Sequence, residues 1–341
     1  MHGSRNWLPP WNWNALRPRR NGGTTVKLGF VVDPLHTFKV YKDSTYAMLV
    51  EADARGHELY AMRQEDLVWK RGKVFGVARQ VTLRNHPVDW YSLDPEVEIP
   101  LHEFDAVVMR KDPPFDIEYV TSTWMLEVAV RQGARVFNDP RAIRDHSEKL
   151  AIAEFGAFTA PTLVSRLATQ IDAFIDEHSD VVLKPLDGHG GQSVFRVRED
   201  DPNRNVIIET LTQLGARSVM AQRYLPEIAD GDKRVLLIGG KPVPHSLARV
   251  PRPGESRGNL AAGGTGIARP LTERDREIAE TLGPELARRG LLLVGLDVIG
   301  SCLTEVNVTS PTCFREITEQ TGFNVAGMFM DALEAAARAP L

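Results

Sequence analysis

One stretch constrains this chain more than any other. Leu291-Leu292-Leu293-Val294-Gly295-Leu296-Asp297-Val298-Ile299 is apolar except for one carboxylate, and Leu303-Thr304-Glu305-Val306-Asn307-Val308 follows with polar and apolar side chains in alternation. The first run reads as a buried strand and the second as its half-buried neighbour. A carboxylate left unpaired in an apolar interior costs several kcal/mol or takes up a proton, so Asp297 calls for a cationic partner. Glu305 and Asn307 share a face, and two carboxylates with an amide oxygen are hard donors of the kind Mg²⁺ takes. Whether they converge depends on the turn. With a two-residue Gly300-Ser301 turn, Ile299 pairs with Cys302, and Asp297 falls opposite Thr304, away from Glu305. With a three-residue loop of Gly300, Ser301 and Cys302, Ile299 pairs with Leu303, and Asp297 lies opposite Glu305 at about 5 Å between Cβ atoms. The three-residue connection, bulged, is the one expected; an outward-facing Asp297 on an edge strand is the competing arrangement.

Composition sets the frame around this hairpin. A chain of 341 residues with 43% hydrophobic and 25% charged residues is an ordinary globular protein of two or three domains, which excludes disordered, fibrous and miniprotein classes. Its two cysteines, Cys302 and Cys313, make neither a disulfide framework nor a metal-ligand pattern, so a reducing, cytoplasmic setting is expected. No apolar run is long enough to cross a bilayer. The net charge is −4. Four arginines without an acid in residues 1–26 leave the remainder more acidic, so nucleic acid and membrane partners are not expected.

Residues 1–26, with Trp7, Trp11 and Trp13 but no apolar periodicity, read as a disordered extension. They are either an upstream start or a basic, aromatic arm for a partner. Lys27–Asp33, His57–Met62, Ala106–Asp112 and Arg135–Asn138 read as strands, with helices over Ser44–Arg55, capped by Asp43, and over Ile117–Arg131. Alternation of this kind predicts an N-terminal parallel-sheet domain over 27–145. Asp145 and Glu148 have the spacing of a capping box opening a helix that carries Lys149. Beyond Ala160 the pattern turns mixed and antiparallel, dividing at about residue 225 into 146–225 and 226–341.

The chemistry concentrates in the second half. There is no P-loop, and Gly188-His189-Gly190-Gly191-Gln192-Ser193 is a poor dinucleotide fingerprint. Lys184, on the opposite face of its strand from Leu183 and just before that glycine turn, instead suits an anion such as phosphate. Gly239-Gly240 reads as a two-residue primed turn that pairs Ile238 with Lys241 and puts Arg234, His245 and Arg249 on one face. Two arginines so placed can clamp a phosphate or carboxylate, although bare charges also serve as solvated surface. Residues 252–266, with five glycines between Pro253 and Gly266, have the composition of a flexible lid or of a plain surface loop.

Taken together these features resemble the ATP-grasp fold. MRKDPPFD (Met109–Asp116), LKPLDGHGG (Leu183–Gly191), RGNLAAGG (Arg257–Gly264) and LTEVNVTSPTC (Leu303–Cys313) resemble bacterial-type glutathione synthetases specifically. The resemblance implies an α/β protein, α+β in its C-terminal part, with the parallel-sheet domain followed by two subdomains clasping ATP. It implies an ATP-dependent ligase joining γ-glutamylcysteine to glycine through an acyl phosphate, giving ADP and phosphate. Another carboxylate-amine ligase of the superfamily, or a non-catalytic ATP-binding regulator, is the alternative. By the same resemblance Lys149, Lys184, Gly188, Gly190 and Gly191 hold the ATP phosphates, and Gln222, Tyr224 and Leu225 form the adenine hinge with Asp232 near the ribose. Asp297, Glu305 and Asn307 would bind two Mg²⁺ ions, or Mn²⁺. Arg234, Arg249 and Arg257 would act on the transferring phosphoryl group, while Lys42, Asp43, Ser44, Arg110 and Lys111 would face the dipeptide. A homo-oligomer, a tetramer, is also implied.

Overall fold

The computed structural model describes residues 25–86, 88–255, 258, 260 and 263–339; Arg257 lies outside them. The first sheet has eight strands: β1 (Lys27–Val31), β2 (Glu58–Met62), β3 (Leu67–Lys70), β4 (Lys73–Leu83), β5 (Tyr91–Leu93), β6 (Val97–Pro100), β7 (Ala106–Met109) and β8 (Val136–Phe137). Strands β2, β1, β7 and β8 run parallel, as the alternating pattern predicts. The antiparallel strands β3 to β6 extend the sheet through β4. Helices α1 (Ser44–Ala54), α2 (Ile117–Arg131) and α3 (Pro140–Asp145) each start at an aspartate, and the Asp43 carboxylate accepts from Tyr46 N at 2.8 Å. That contact satisfies one of the free amides at the helix start. Val26, assigned by its sequence to the extension, is buried against the first sheet, and its carbonyl accepts from Glu58 N.

The second sheet comprises β9 (Thr162–Ser165), β10 (Asp180–Pro185), β11 (Phe195–Arg198) and β12 (Val219–Arg223), in the order β11-β10-β12-β9. Helices α4 (Ala168–His178) and α5 (Arg204–Thr212) cover one face and bury Ile171, Ile175, Leu183 and Ile208. The third sheet comprises β13 (Asp232–Ile238), β14 (Lys241–Val250), β15 (Thr265–Pro270), β16 (Leu293–Ile299) and β17 (Cys302–Asn307), in the order β15-β14-β13-β16-β17. One of its faces buries Val235, Leu237 and Leu296 against α6 (Glu273–Arg288). The other buries Leu236 and Leu247 with Phe314 of α7 (Phe314–Thr321) and Phe329 of α8 (Val325–Arg338), and this core continues into Met48 and Leu49 of α1. Among the described residues no helix is long and apolar enough to cross a membrane.

Three local expectations change. Asp145 and Glu148 form no capping box: α3 ends at Asp145, and a run of 3-10 turns occupies Leu150–Phe158. The Glu148 carboxylate instead accepts from Val308 N, Thr309 N and Thr309 Oγ1 at 2.9, 3.1 and 2.9 Å, which offers it three donors where a helix start offers one. Between β13 and β14, Ile238 does pair with Lys241 across the Gly239-Gly240 turn, both glycines having positive φ, but an irregularity between Val235 and Leu237 shifts the register. Arg234 therefore faces Leu247 rather than His245, whose ring lies against Phe323. Finally, the turn between β16 and β17 has two residues, not three, because Ile299 pairs with Cys302.

Candidate active site

A two-residue turn alone would put Asp297 opposite Thr304, with Glu305 on the other face. The chain avoids this by a β-bulge: Val298 pairs with Leu303, Thr304 is left without a cross-strand partner, and Asp297 pairs with Glu305. A bulge inserts one residue and re-aims the side chains beyond it. Thr304 is held in place by its hydroxyl, which donates to Asp297 O at 3.2 Å, while its carbonyl accepts from Lys184 Nζ at 3.4 Å. The expected convergence is thus present, reached by a different backbone route. Asn307 lies opposite Gly295 and donates through Nδ2 to Gly295 O at 3.2 Å, which leaves its amide oxygen for another ligand. Gly295 itself must lack a side chain, since a Cβ there would sit 2.8 Å from Arg234 Cδ.

On the other side of β16, Arg234 stands directly across from Asp297. Its guanidinium grips that carboxylate with both forks, Nε to Oδ1 at 2.5 Å and Nη2 to Oδ2 at 3.1 Å, and Arg249 adds a third contact at 2.8 Å. Burial alone would push the Asp297 carboxyl up, but the two guanidiniums outweigh it and hold the group well below the usual carboxylate range. Arg249 also binds Asp232 at 2.5 Å. Burial pushes the Asp232 carboxyl up to about 6 despite Arg249, and its Oδ1 has no partner among the described residues.

From the second sheet, Lys184 reaches across to the third. Its Nζ lies 3.7 Å from Glu305 Oε1, and Lys149 Nζ lies 3.5 Å from the same oxygen while donating to Gly188 O. Both ammonium groups are buried, and burial lowers the Lys184 pKa against the pull of Glu305. Neither ion pair is as short as a direct hydrogen bond, so donors remain on both lysines. The glycine turn after β10 has Gly190 at φ 61° and Gly191 at φ 80°, a left-handed backbone that glycine adopts readily, and both line the cleft with the lysines.

Two clefts meet at this row of charges. The first is lined by Lys149, Lys184, Gly188, Gly190 and Gly191 and by Asp232. Ala160, Val182, Val194, Ile228 and Ile299 also line it, with Gln222, Tyr224 and Leu225, and so many apolar side chains suit an apolar ring. The Gln222 side chain is spent on Thr162 Oγ1 at 3.0 Å. The second, the larger of the two, is lined by Lys42, Asp43, Ser44, Arg110, Arg234, Arg249, Asn307 and Glu316. Asp297 and Glu305 line both. Lys111 lines neither, because its ammonium pairs with Asp33 at 2.9 Å and donates to Asp112 O. The oxygen donors Asp297, Glu305 and Asn307 fit a hard divalent cation at the junction. Glu316 carried no signal in the sequence and Glu148 only that of a helix cap, since an acid near a helix start is commonplace and only tertiary contacts single these two out.

A cleft between two sheets, with a lysine from each side and acids on the last hairpin, defines the ATP-grasp class, and solved structures share the fold. A D-cycloserine synthetase matches with TM-score 0.66 at 17% identity, over 92% of this chain and all of the other. An ATP-grasp ligase from Chryseobacterium gregarium, solved with ADP and a leader and core peptide, matches with TM-score 0.63 at 18% identity over 93% and 98%. The prokaryotic glutathione synthetase N-terminal domain matches residues 26–144, and the ATP-grasp domain of the same family matches residues 148–322. Curated glutathione synthetases from Ralstonia nicotianae and Nitrosomonas europaea are 64% and 61% identical, over 92% and 91% of this chain and 96% and 98% of their own lengths. The chain belongs to the prokaryotic glutathione synthetase family, and it is a ligase.

Proposed function

We propose that the two clefts divide the substrates of ATP-dependent glutathione synthesis, the smaller taking ATP and the larger taking γ-glutamylcysteine and then glycine. The observation that carries this reading is that Asp297 and Glu305 are common to both clefts, so a phosphoryl group can pass from one to the other where they meet. Lys149, Lys184 and the glycines 188, 190 and 191 hold the phosphates; Gln222, Tyr224 and Leu225 border the base, and Asp232 borders the ribose. Lys42, Asp43, Ser44 and Arg110 face the dipeptide, with Asp43 fixed as the α1 cap and Arg110 Nη1 buried without a partner among the described residues. Asp297, Glu305 and Asn307 would hold Mg²⁺, or Mn²⁺, which when bound neutralises the phosphate charge.

The cysteinyl carboxylate is a poor electrophile, so it attacks the γ-phosphorus and expels ADP, giving an acyl phosphate. The neutral amine of glycine then attacks the acyl carbon, and the C–O bond to phosphate breaks. Such transfers depend on positioning and charge neutralisation. Arg234 and Arg249 supply cationic charge beside the path, kept rigid by Asp297 and Asp232. The division at residues 27–145, 146–225 and 226–341 accords with the three sheets, and we assign the protein to the cytoplasm. We also infer a homo-oligomer, a tetramer; exposed Trp69, Ile117 and Trp124 offer apolar surface for its contacts.

Phosphate release from ATP and Mg²⁺ should require γ-glutamylcysteine and rise further with glycine. Hydroxylamine in place of glycine should trap the acyl phosphate as a hydroxamate. Release equally fast with an alanine dipeptide, or no hydroxamate, would overturn the assignment.

A further inference from the structure

The larger cleft has six acids on its walls, and five are engaged by the protein. Asp43 caps α1, Asp112 accepts from Ser310 Oγ, Glu148 holds Val308 and Thr309, Asp297 lies between arginines, and Glu305 faces the two lysines. Glu316, on the first turn of α7, is held by no other residue: its carboxylate accepts from its own backbone amide, and its Oε2 is buried with no hydrogen-bond partner among the described residues. An unmet acceptor of this kind costs on the order of 1–3 kcal/mol, more when charged, unless a ligand supplies the donor. The cleft's one other buried, unpartnered side-chain atom among those described is a donor, Arg110 Nη1.

We propose that Glu316 Oε2 accepts a hydrogen bond from the α-ammonium group of γ-glutamylcysteine and so selects an amino-acid end over a plain dicarboxylic one. This rests on reading the larger cleft as the dipeptide's. The surroundings match a zwitterion. Lys42 is near enough to act on Glu316 electrostatically without an ion-pair contact, and it offers a cation for the neighbouring α-carboxylate. The start of α7 is fastened to that segment, since Phe314 N donates to Ser44 Oγ at 3.1 Å and Arg315 donates to Val40 O. Burial pushes the Glu316 carboxyl up, and an ammonium partner would draw it back to the charged form. The amine of glycine is the poorer occupant: it must be neutral to attack and must reach the junction at Asp297 and Glu305, whereas the charged neighbours of Glu316 are Lys42, Arg315 and Glu319.

The test compares γ-glutamylcysteine with glutaryl-cysteine, which lacks only the α-amino group. The wild-type enzyme should favour the dipeptide in kcat/KM by tenfold to a hundredfold, roughly the factor carried by one charged hydrogen bond. Glu316→Gln should abolish most of that preference by lowering the dipeptide's value alone, with the KM of ATP and of glycine within twofold of wild type. Glu316→Asp, which keeps the charge but withdraws it, should fall between and serves if the first variant folds poorly. An undiminished preference in both variants, or a rise in the glycine KM instead, would overturn the proposal. Arg110→Lys separates the two readings. If it raises the dipeptide KM while Glu316→Gln leaves the preference intact, only the ammonium site is wrong; if neither variant affects the dipeptide, the cleft itself is misassigned.

Discussion

Neutralising Asp297 should weaken the fold before any question of turnover arises. Asp297→Asn leaves Arg234 and Arg249 buried with much of their counter-charge gone, and breaking a buried pair from one side costs about 3–5 kcal/mol. Denaturant unfolding without nucleotide would measure it; a loss under about 1 kcal/mol would mean that Asp232 suffices for both arginines. Lys184→Met and Glu305→Gln should behave in the opposite way, cutting phosphate release by about 10²–10³ each with little change in melting temperature. Near-normal rates would contradict the roles given to them. Asp297 and Lys184 were legible from sequence because a charge inside an apolar strand demands an explanation. Glu316 was not, and Glu148 was read only as a helix cap, because what distinguishes them is the set of donors they meet or lack, drawn from segments far away in the chain.

The hairpin of β16 and β17 shows what strand patterning can and cannot deliver. Chemistry required Asp297 and Glu305 to face each other, and they do; the bulge was expected in a three-residue connection, whereas the turn has two residues and the bulge lies within the ladder, at Thr304. Alternation is blind to such an insertion because the residues on either side stay in phase with their own strands. Beyond the hairpin, three bonds to Glu148 pin Val308 and Thr309 just after the proposed metal ligands. Glu148→Ala should therefore raise the Mg²⁺ concentration for half-maximal phosphate release by about tenfold or more, as loss of outer support around a metal site does. An unchanged Mg²⁺ titration with a lowered maximal rate would place its effect elsewhere. The antiparallel strands β3 to β6 and helices α7 and α8 escaped the sequence reading; β3, β5 and β6 have only three or four residues each, too few for alternation to show.

At the scale of the molecule, the first and last helices are riveted together. Arg55 binds Asp331 at 2.7 Å, Glu334 at 2.9 Å and Gly327 O at 3.0 Å, and His57 Nε2 lies 3.1 Å from Glu334. Burial raises the Glu334 pKa, but Arg55 and His57 outweigh it and leave the carboxyl below its ordinary 4.5. A depressed acid adds stability above its unfolded value and forfeits it as pH falls through the folded one. Glu334→Gln should thus be less stable than wild type at pH 7, by on the order of 1 kcal/mol for a half-buried group near the surface, with the gap closing below about pH 4. A gap that persists in acid would point to packing instead. The order of the three layers was readable because each has its own strand rhythm; how they lean on one another was not, since that depends on pairs such as Arg55 and Glu334 separated by most of the chain. The last consequence concerns the two carboxylates that serve both clefts. On the proposed division of substrates they form a party wall, so the mixed anhydride would be made on a boundary rather than inside either chamber. Each tenant would then cover only its own side, leaving the anhydride open to water from whichever chamber empties first.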